Sequence, residues 1–334
     1  MSLVGSAADE LHAALAAVAP GTPLRDGVDR VVRAKMGALV VLGDGPAVLA
    51  ICSGGFLLDA PYSPQRLSEL AKMDGAIILN AECTRIARAN VHLVPDPTVS
   101  TNETGTRHRT AERVARSLGV PVLSVSEEMS VINVYAGGVK HQLQDISRLL
   151  DRANQALQTL ERYKVRLDDA LSALTANELE DVVTVRDVVA VVQRGDLVAR
   201  IASELETMIV ELGVDARLLR LQLDELYSDL GGEVELVAAD YPAIAAGHGG
   251  SSAGAGLDGD TAASPLGLRL LTRVPHVSSE LAGALVERFG ELAKLQRATV
   301  AEIADVPGVD RPLAEAIKDT LERLTESSIL DQYH

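Results

Sequence analysis

Apolar residues recur every three or four positions from residue 143 onward, and this constrains the fold more than any other feature of the sequence. Such spacing is typical of a long helix packed against another helix. Only Lys164 interrupts the series, whose members are Leu143, Ile146, Leu150, Ala153, Leu157, Leu160, Leu167, Leu171 and Leu174. Further helical patterns cover residues 182–192, 197–212 and 218–230. Residues 142–241 are therefore predicted to form an all-α spine, which could serve simply as a structural bundle for spacing or oligomerisation.

The residues before the spine, 1–141, are predicted to form an α/β domain. Short apolar runs bounded by turn residues predict strands over 37–42, 47–52, 75–80, 86–94, 121–125 and 131–135. The turn cluster at 43–46 predicts that the first two runs pair as a hairpin. Helical spacing over 63–72 and 106–118, the latter ending at Gly119, predicts helices that cover a mixed sheet.

The residues after the spine divide into a linker and a small domain. Residues 242–264 are rich in Gly, Ala and Ser, which is typical of a flexible linker. Residues 265–334 contain short helical patterns separated by turns at 274–278 and 306–310, which predicts a helix-hairpin-helix domain. Such hairpins bind duplex DNA by pointing turn amides at a phosphate, and their turns usually read Gly-apolar-Gly. Here the second turn keeps only Gly308, the predicted DNA contact, and Asp310 brings a carboxylate that weakens DNA binding.

The net charge of -16 is unevenly distributed along the 334 residues. Residues 141–264 carry 10 Lys and Arg against 22 Asp and Glu, whereas residues 1–140 carry 13 against 14 and residues 265–334 carry 8 against 11. The acidic spine is thus a poor place for a polyanionic ligand. Aromatic residues make up only 2% of the chain, which argues strongly against a surface that binds single strands by stacking bases on rings.

Cysteine content and hydropathy indicate the compartment. Cys52 and Cys83 are too few for a disulfide framework or a metal cluster, so we expect a reducing, cytoplasmic location. No charged leader with an apolar segment opens the sequence, and no apolar run approaches the roughly 20 residues that span a bilayer. We therefore expect no membrane partner.

The densest polar motif covers residues 103–112, where Arg107, His108 and Arg109 are predicted to occupy the first turn of a helix, flanked by Thr106 and Thr110. Cations at this end oppose the helix dipole, so they need an anion nearby. Free backbone N–H groups together with guanidinium groups are suited to binding a polyphosphate. The alternative is a solvated basic helix start. No Gly-rich loop ending in Gly-Lys-Ser/Thr is present, which argues against an ordinary P-loop ATPase.

A second motif, Asp74-Gly75-Ala76, precedes a predicted buried strand. Asp-Gly is common in ordinary turns, and that alternative stays open. A carboxylate at the edge of a sheet could instead hold a divalent cation for phosphoryl transfer, which also needs cationic groups on the phosphates. Asp74 is therefore the candidate metal ligand.

Together, Asp74-Gly75-Ala76, the stretch 105–110, the helical spine and the helix-hairpin-helix tail resemble the DisA family of DNA integrity scanning diadenylate cyclases. The resemblance covers essentially the whole chain and includes the stretches 160–164 and 183–187. It implies condensation of two ATP molecules into cyclic di-AMP with release of two pyrophosphates, assisted by Mg or Mn. It also implies a homo-octamer in which cyclase domains meet face to face, so that each 3'-hydroxyl attacks the opposite α-phosphate, and coupling to branched DNA or recombination intermediates.

The resemblance also implies roles for individual residues. Asp74 would ligate the metal and help activate the 3'-hydroxyl, Gly75 would allow close approach of the nucleotide, and Leu93 would contact adenine through its main chain. The residues implied to hold the phosphates are Thr106, Arg107, His108, Arg109 and Thr110, with Ser126 nearby; Asp74, Arg107, His108 and Arg109 are the implied catalytic residues. The alternative function is a catalytically silent scaffold that senses nucleotide while bound to DNA.

Overall fold

The computed structural model describes residues 7–227, 230–248 and 259–331. The chain divides into two compact units, one drawn from Met1–Gln155 and Leu205–Arg220, the other from Ala156–Glu204 and Leu221–His334. Two long helices, Ile146–Leu179 and Val185–Leu212, contribute to both units. The predicted domain boundaries at residues 141, 241 and 264 stay predictions.

The first unit is built on an eight-stranded mixed sheet in the order β2-β5-β4-β1-β6-β7-β8, with β3 also paired to β5. Only the β1–β4 pairing is parallel among the strands described. The strands are β1 Ala38–Leu42, β2 Cys52–Ser53, β3 Phe56–Pro61, β4 Ala76–Leu79, β5 Arg85–Leu93, β6 Val122–Val125, β7 Ile132–Ala136 and β8 Val139–Gln142.

Helices cover both faces of this sheet. Along β1, Val40 and Leu42 point into one core with α1, α2 and α4, while Leu39 and Val41 point into the other with α3 and α5. This alternation follows from the two-residue period of a strand, and it confirms the predicted mixed sheet with helical cover. The helices are α1 Ala7–Ala17, α2 Pro23–Arg33, α3 Pro46–Ala50, α4 Pro64–Leu70 and α5 Thr106–Leu118.

The predicted hairpin over 37–52 is wrong. Its second run forms the short helix α3, because Pro46 lies in the first helical turn, where its fixed φ and missing N–H are tolerated. Strand β1 pairs instead with β4 and β6. Sequence patterns also missed β3 and β8, which carry exposed residues along most of their length.

The remaining described helices form the spine and the C-terminal region. They are α6 Ile146–Leu179, α7 Val185–Leu212, a 3₁₀ helix Gly213–Ala216, α8 Arg217–Tyr227, α9 Leu230–Asp240, α10 Pro242–His248, α11 Leu268–Thr272, α12 Ser279–Phe289, α13 Leu292–Arg297, α14 Val300–Ala304 and α15 Arg311–Asp331. This order confirms an all-α spine followed by a small domain of short helices.

Two details differ from the predicted helical series. Leu143 lies before α6 and is buried in the core of the first unit, where its amide donates to the carbonyl of Ile132. The helix begins later because the carboxylate of Asp145 accepts from the amides of Ser147 and Arg148, which caps α6. Leu149, rather than the predicted Leu150, is fully buried.

The predicted linker over 242–264 differs from expectation at both of its described ends. It begins as helix α10, in which Ile244 is buried, since its Ala-rich sequence favours a helix. Near its end, Thr261 and Ala263 exchange backbone hydrogen bonds with residues 183–185. Residues 249–258 lie outside the described residues.

Candidate functional site

A cavity of about 650 Å³ opens at the edge of the sheet where β1 and β4 begin and β5 and β6 end. The N-terminus of α5 forms another of its walls. Residues that are far apart in sequence meet here because antiparallel partners bring strand ends and strand starts to one edge. The lining residues are Leu39, Asp74, Gly75, Ala76, Asn90, Val91, His92, Leu93, Gly105, Thr106, Arg107, His108, Thr110, Ser126, Glu127 and Glu128.

This cavity contains most of the nucleotide-site residues that the sequence indicated. Those that line it are Asp74, Gly75, Leu93, Thr106, Arg107, His108, Thr110 and Ser126. Arg109 does not line the cavity: it lies exposed on the outer side of α5. Gly308 belongs to the second compact unit and is described separately below.

Helix α5 presents an uncapped N-terminus to the cavity. Gly105 precedes it in an extended conformation without a side-chain cap, and its first turn holds no acidic residue. Its far end stops at Gly119, whose φ of 63° is the left-handed conformation that glycine adopts easily. The first-turn N–H groups and the positive end of the dipole therefore face the cavity together with Arg107 and His108, an arrangement suited to an anion.

Gly75 fits tightly against the end of strand β5. Its amide donates to the side-chain oxygen of Asn90 at 3.1 Å. A Cβ on Gly75 would collide with the backbone of Asn90 and lie 2.6 Å from the backbone nitrogen of Val91. Asn90 itself has a φ of 53°, at a point where the pairing of β4 with β5 shifts register. This bulge positions the exposed carboxylate of Asp74 at the cavity.

Arg107 packs over Gly37, just before β1. A Cβ on Gly37 would overlap the guanidinium of Arg107, so the missing side chain makes room for this cation. Within the described part of the chain, this guanidinium has no ion-pair partner. The positive charge is thus available to a ligand in the cavity.

His108 is held from behind by buried side chains. Its Nδ1 lies 2.9 Å from the hydroxyl of Ser124 and 3.2 Å from the hydroxyl of Tyr135. The Tyr135 hydroxyl donates to Glu103, 3.3 Å away, and Lys140 forms a 2.6 Å ion pair with the same carboxylate oxygen. Burial lowers the pKa of His108, and the positive charges of Lys140 and Arg107 add to this, whereas the charge of Glu103 opposes it.

The loop before α5 is fastened to the helix by three contacts. The hydroxyl of Thr101 donates to the buried carboxylate of Glu112. Arg113 donates to the carbonyl of Val99 at 3.0 Å, and Arg116 donates to the carbonyl of Ser100 at 3.0 Å. The position of the uncapped helix end relative to its loop is therefore fixed.

The two turns of the C-terminal domain share one conformation. In the first turn, the amide of Val277 donates to Val274, and in the second, that of Val309 donates to Val306. The third residue of each turn has a positive φ, 69° at His276 and 89° at Gly308. Each turn is followed by a helix cap, Ser278 for α12 and Asp310 for α15. The carboxylate of Asp310, expected to oppose a bound phosphate, accepts from the amide of Leu313 at 3.0 Å.

Three carboxylates lie at the cavity. Asp74, Glu127 and Glu128 line the cavity, yet no group of three His, Cys, Asp or Glu residues suited to a metal ion occurs among the residues that the structure describes. Over the same residues, no helix is both long and apolar enough to cross a membrane.

Sequence reasoning missed the residues that support the site from behind. Asn90 orients Gly75, and Glu103, Ser124, Tyr135 and Lys140 surround His108. One signal was present: tyrosine is scarce, with 6 in the whole chain, so a tyrosine in a buried strand suggests a specific use for its hydroxyl.

Three family models match successive parts of the chain. The DisA bacterial checkpoint controller nucleotide-binding model matches residues 25–140, the linker-region model of the same name matches 143–252, and a SAM-like helix-hairpin-helix tandem matches 268–323. The DNA integrity scanning protein DisA of Acidothermus cellulolyticus is 48% identical, with 98% of this chain and 96% of that protein covered. The chain belongs to the DisA family.

A second DisA relative, from Kineococcus radiotolerans, is also 48% identical, with 97% of each protein covered. A solved structure of DacA from Staphylococcus aureus is 26% identical, covers 37% of this chain and 85% of that chain, and has a TM-score of 0.31. Membership of the DisA family confirms the resemblance that the two sequence motifs and the order of domains indicated.

Proposed function

We propose that this protein is a diadenylate cyclase, which condenses two ATP molecules into cyclic di-AMP and releases two pyrophosphates. One observation carries the proposal: the uncapped N-terminus of α5, with Arg107 and His108, lines the same cavity as Asp74. Family membership supports it, since the nucleotide-binding model of the family matches residues 25–140, which include this cavity.

Asp74 is proposed to hold Mg or Mn. Magnesium is commonly bound by one or two carboxylates together with substrate phosphates, and Asp74 offers such a carboxylate at the cavity. The metal would supply charge neutralisation on the phosphates and lower the pKa of the attacking 3'-hydroxyl. The missing Cβ of Gly75 makes room for the β5 backbone at Asn90. By family resemblance, Gly75 is proposed to allow close approach of the nucleotide, and Leu93 to contact adenine through its main chain.

The phosphates are proposed to bind at the helix end. Thr106 and Thr110 offer hydroxyls, Arg107 offers a guanidinium, and Ser126 lines the same cavity. Arg109 is retained as a phosphate-binding residue by family resemblance, from its exposed position on α5. We further propose a homo-octamer in which cyclase domains meet face to face, because each 3'-oxygen must attack the α-phosphorus of the ATP in the opposite site as pyrophosphate leaves.

Product analysis after incubation with ATP and Mg or Mn tests the proposal. Wild type is expected to form cyclic di-AMP, and Asp74→Asn to lose at least ~10²-fold in rate, in the lower range for removal of a key catalytic group. Asp26→Asn removes an exposed carboxylate of α2 outside the cavity and serves as the matched control. Equal yields from wild type and Asp74→Asn would contradict the role of Asp74.

The second candidate function is a catalytically silent scaffold that senses nucleotide while bound to DNA. It is distinguished in the same experiment, because it requires ATP binding without any cyclic dinucleotide. The carboxylate of Asp74 at the cavity favours the enzyme, since binding phosphates does not require an additional negative charge.

The C-terminal domain, residues 265–334, is proposed to bind branched DNA or recombination intermediates through the turn at Gly308 and to couple that binding to the cyclase. The match to a helix-hairpin-helix tandem supports this. Gly308→Asp is expected to weaken binding in a mobility-shift assay over several salt concentrations. Gly308→Asn, nearly equal in size but uncharged, is the control; equal binding by Gly308→Asp and wild type would remove this turn from the proposal.

The domain division is also proposed: cyclase 1–141, spine 142–241, linker 242–264 and helix-hairpin-helix domain 265–334. A cytoplasmic location is proposed with it. Fractionation of cells that express the tagged protein tests the location, and recovery in the membrane fraction would contradict it.

A further inference from the structure

The cavity-lining His108 is linked to three side chains that have no part in the proposed reaction. Lys140 pairs with Oε1 of Glu103, Tyr135 contacts the same oxygen, and the Tyr135 hydroxyl reaches Nδ1 of His108. We call Lys140, Glu103 and Tyr135 the relay. Tyr135 is almost completely buried, so its hydroxyl cannot exchange these partners for bulk water.

The positions of the protons follow from the donors and acceptors available. Although burial raises the pKa of Glu103, the hydrogen bond and charge of Lys140 outweigh burial and hold that pKa below its usual value. An ionised carboxylate can only accept, and a tyrosine hydroxyl has one proton to give. If Tyr135 donates to Glu103, its oxygen can only accept from His108. A hydrogen bond between Tyr135 and Nδ1 of His108 therefore requires a proton on Nδ1.

Ser124 is compatible with this arrangement but cannot impose it. Its buried hydroxyl, 2.9 Å from Nδ1, can rotate either to accept a hydrogen bond or to donate one. Without the relay, Ser124 could donate to Nδ1 and leave the imidazole proton on Nε2. The relay therefore decides between two otherwise accessible tautomers.

We propose that Lys140, Glu103 and Tyr135 are positioning residues that keep the proton of a neutral His108 on Nδ1, so that Nε2 presents a lone pair to the cavity. This inference rests on the proposed function for its chemical consequence. Nε2 of His108 is then an acceptor for a ligand O–H rather than a second cation beside Arg107. The phosphate contact that the family resemblance implies for His108 passes to Arg107, the nearby hydroxyls and the amides at the start of α5. Within the described residues, Nε2 has no hydrogen-bond partner, as expected if its partner is a ligand.

In the cyclase reaction, the acceptor has a defined use. The O–H bond of the attacking ribose hydroxyl breaks as its oxygen bonds to the α-phosphorus, and pyrophosphate leaves with the electron pair of the broken P–O bond. The proton from that hydroxyl passes to Nε2 of His108. A neutral imidazole with Nδ1 already protonated can take this proton, whereas an Nε2–H tautomer cannot.

Charged groups on the neighbouring elements affect whether the imidazole of His108 is neutral or charged. Arg107 on α5 and Lys140 on β8 disfavour the imidazolium, Glu103 in the preceding loop favours it, and burial disfavours it. Glu112 on α5 acts on Tyr135, whose pKa is raised mainly by burial and then by the charge of Glu103. Tyr135 therefore keeps its proton throughout the neutral range.

Nitrogen-15 NMR of the full-length protein with labelled histidine side chains tests the tautomer directly. The signal of His108 is assigned by its loss in His108→Gln. We expect the pattern of an Nδ1–H tautomer in wild type above the titration midpoint. His141 provides an internal reference, because its Nε2 lies 2.7 Å from a carboxylate oxygen of Glu211 and must carry a proton to donate to it. A proton on Nε2 of His108 in wild type would overturn the proposal.

Three variants separate a relay from mere packing. Tyr135→Phe and Glu103→Gln should both move the proton of His108 toward Nε2. In Tyr135→Phe, Ser124 is left as the donor to Nδ1. In Glu103→Gln, the new amide can donate to Tyr135, whose hydroxyl can then donate to Nδ1. The titration midpoint should fall in Glu103→Gln, which removes a negative charge, and rise in Lys140→Gln, which removes a positive one. Shifts in the same direction in the last two variants would contradict the relay.

Activity gives the final readout. The acid limb of kcat/KM for cyclic di-AMP formation should move to lower pH in Glu103→Gln and to higher pH in Lys140→Gln. Tyr135→Phe should lose about 10-fold or more in kcat/KM at its optimum pH, which is part of the ~10²–10⁴-fold that a general base supplies. If the tautomers are as expected but wild type makes no cyclic di-AMP, the proposed function fails and the relay stands. If cyclic di-AMP forms but the acid limb does not move, the role of the relay in catalysis is refuted.

Discussion

Each compact unit contains a buried tyrosine that donates to a carboxylate paired with a cation, but the two networks end differently. In the first unit, Lys140, Glu103 and Tyr135 lead to His108 and an open cavity. In the second unit, Arg269 pairs with Glu178 at 2.5 Å, and Tyr241 donates to the same carboxylate at 2.9 Å. The first network leaves one ring nitrogen available for a ligand.

The second network is sealed within the protein. The side chains of Arg269 and Glu178 are 0% and 1% exposed, and the neighbouring Asp240 accepts from the amides of residues 267, 268 and 269. It thereby joins the end of α6 and the end of α9 to the start of α11. The comparison indicates that a network of tyrosine, carboxylate and cation can act on a ligand where one end reaches a cavity. The same kind of network holds helices together where the whole network is buried.

The largest effect on stability is expected from the sealed network. Arg269→Met leaves the carboxylate of Glu178 buried without its cation, which should cost about 3–5 kcal/mol in the free energy of unfolding. Urea unfolding of the full chain measures this. The double variant with Glu178→Met removes both charges and should regain much of the loss. If the urea midpoint of Arg269→Met equals that of wild type, the difference in burial does not make the two networks differ in their contribution to stability.

A much smaller effect on stability is expected from the open network. Lys140 is 41% exposed in its pair with Glu103, so Lys140→Met should change the free energy of unfolding by less than about 1 kcal/mol. The same urea experiment gives the value. A loss as large as that of Arg269→Met would mean that the relay holds the fold, and the contrast between the networks would disappear.

Local signals in the sequence predicted elements whose ends are marked by particular residues. Helix α5 begins and ends where Gly105 and Gly119 indicated. The run at 47–52 was misassigned because a short apolar stretch suits a strand or a buried helix equally, and only the pairing of β1 with β4 and β6 decides between them. The pattern predicted Leu150 as the buried residue, whereas Leu149 is buried, so the predicted apolar face of α6 is one residue out of phase at this point.

The candidate site was predictable where its residues are close in sequence or carry a family resemblance. Asp74 and Arg107 line one cavity, as the resemblance implied. Helical periodicity alone could have indicated that Arg109 faces outward, since Arg107 and His108 precede the buried Ala111 by four and three residues. The relay could not be derived, because it depends on tertiary pairing between β6, β7, β8 and the loop at Glu103.

Phosphorus-31 NMR of the wild-type protein with ATP and Mg tests the central claim most directly, because it follows every phosphorus atom of the substrate. The account predicts that the ATP signals are replaced by pyrophosphate and by a phosphodiester signal, with two pyrophosphates for each cyclic di-AMP. ATP signals that persist unchanged, or that are replaced by those of ADP and phosphate, would contradict the assignment of this cavity as a diadenylate cyclase site.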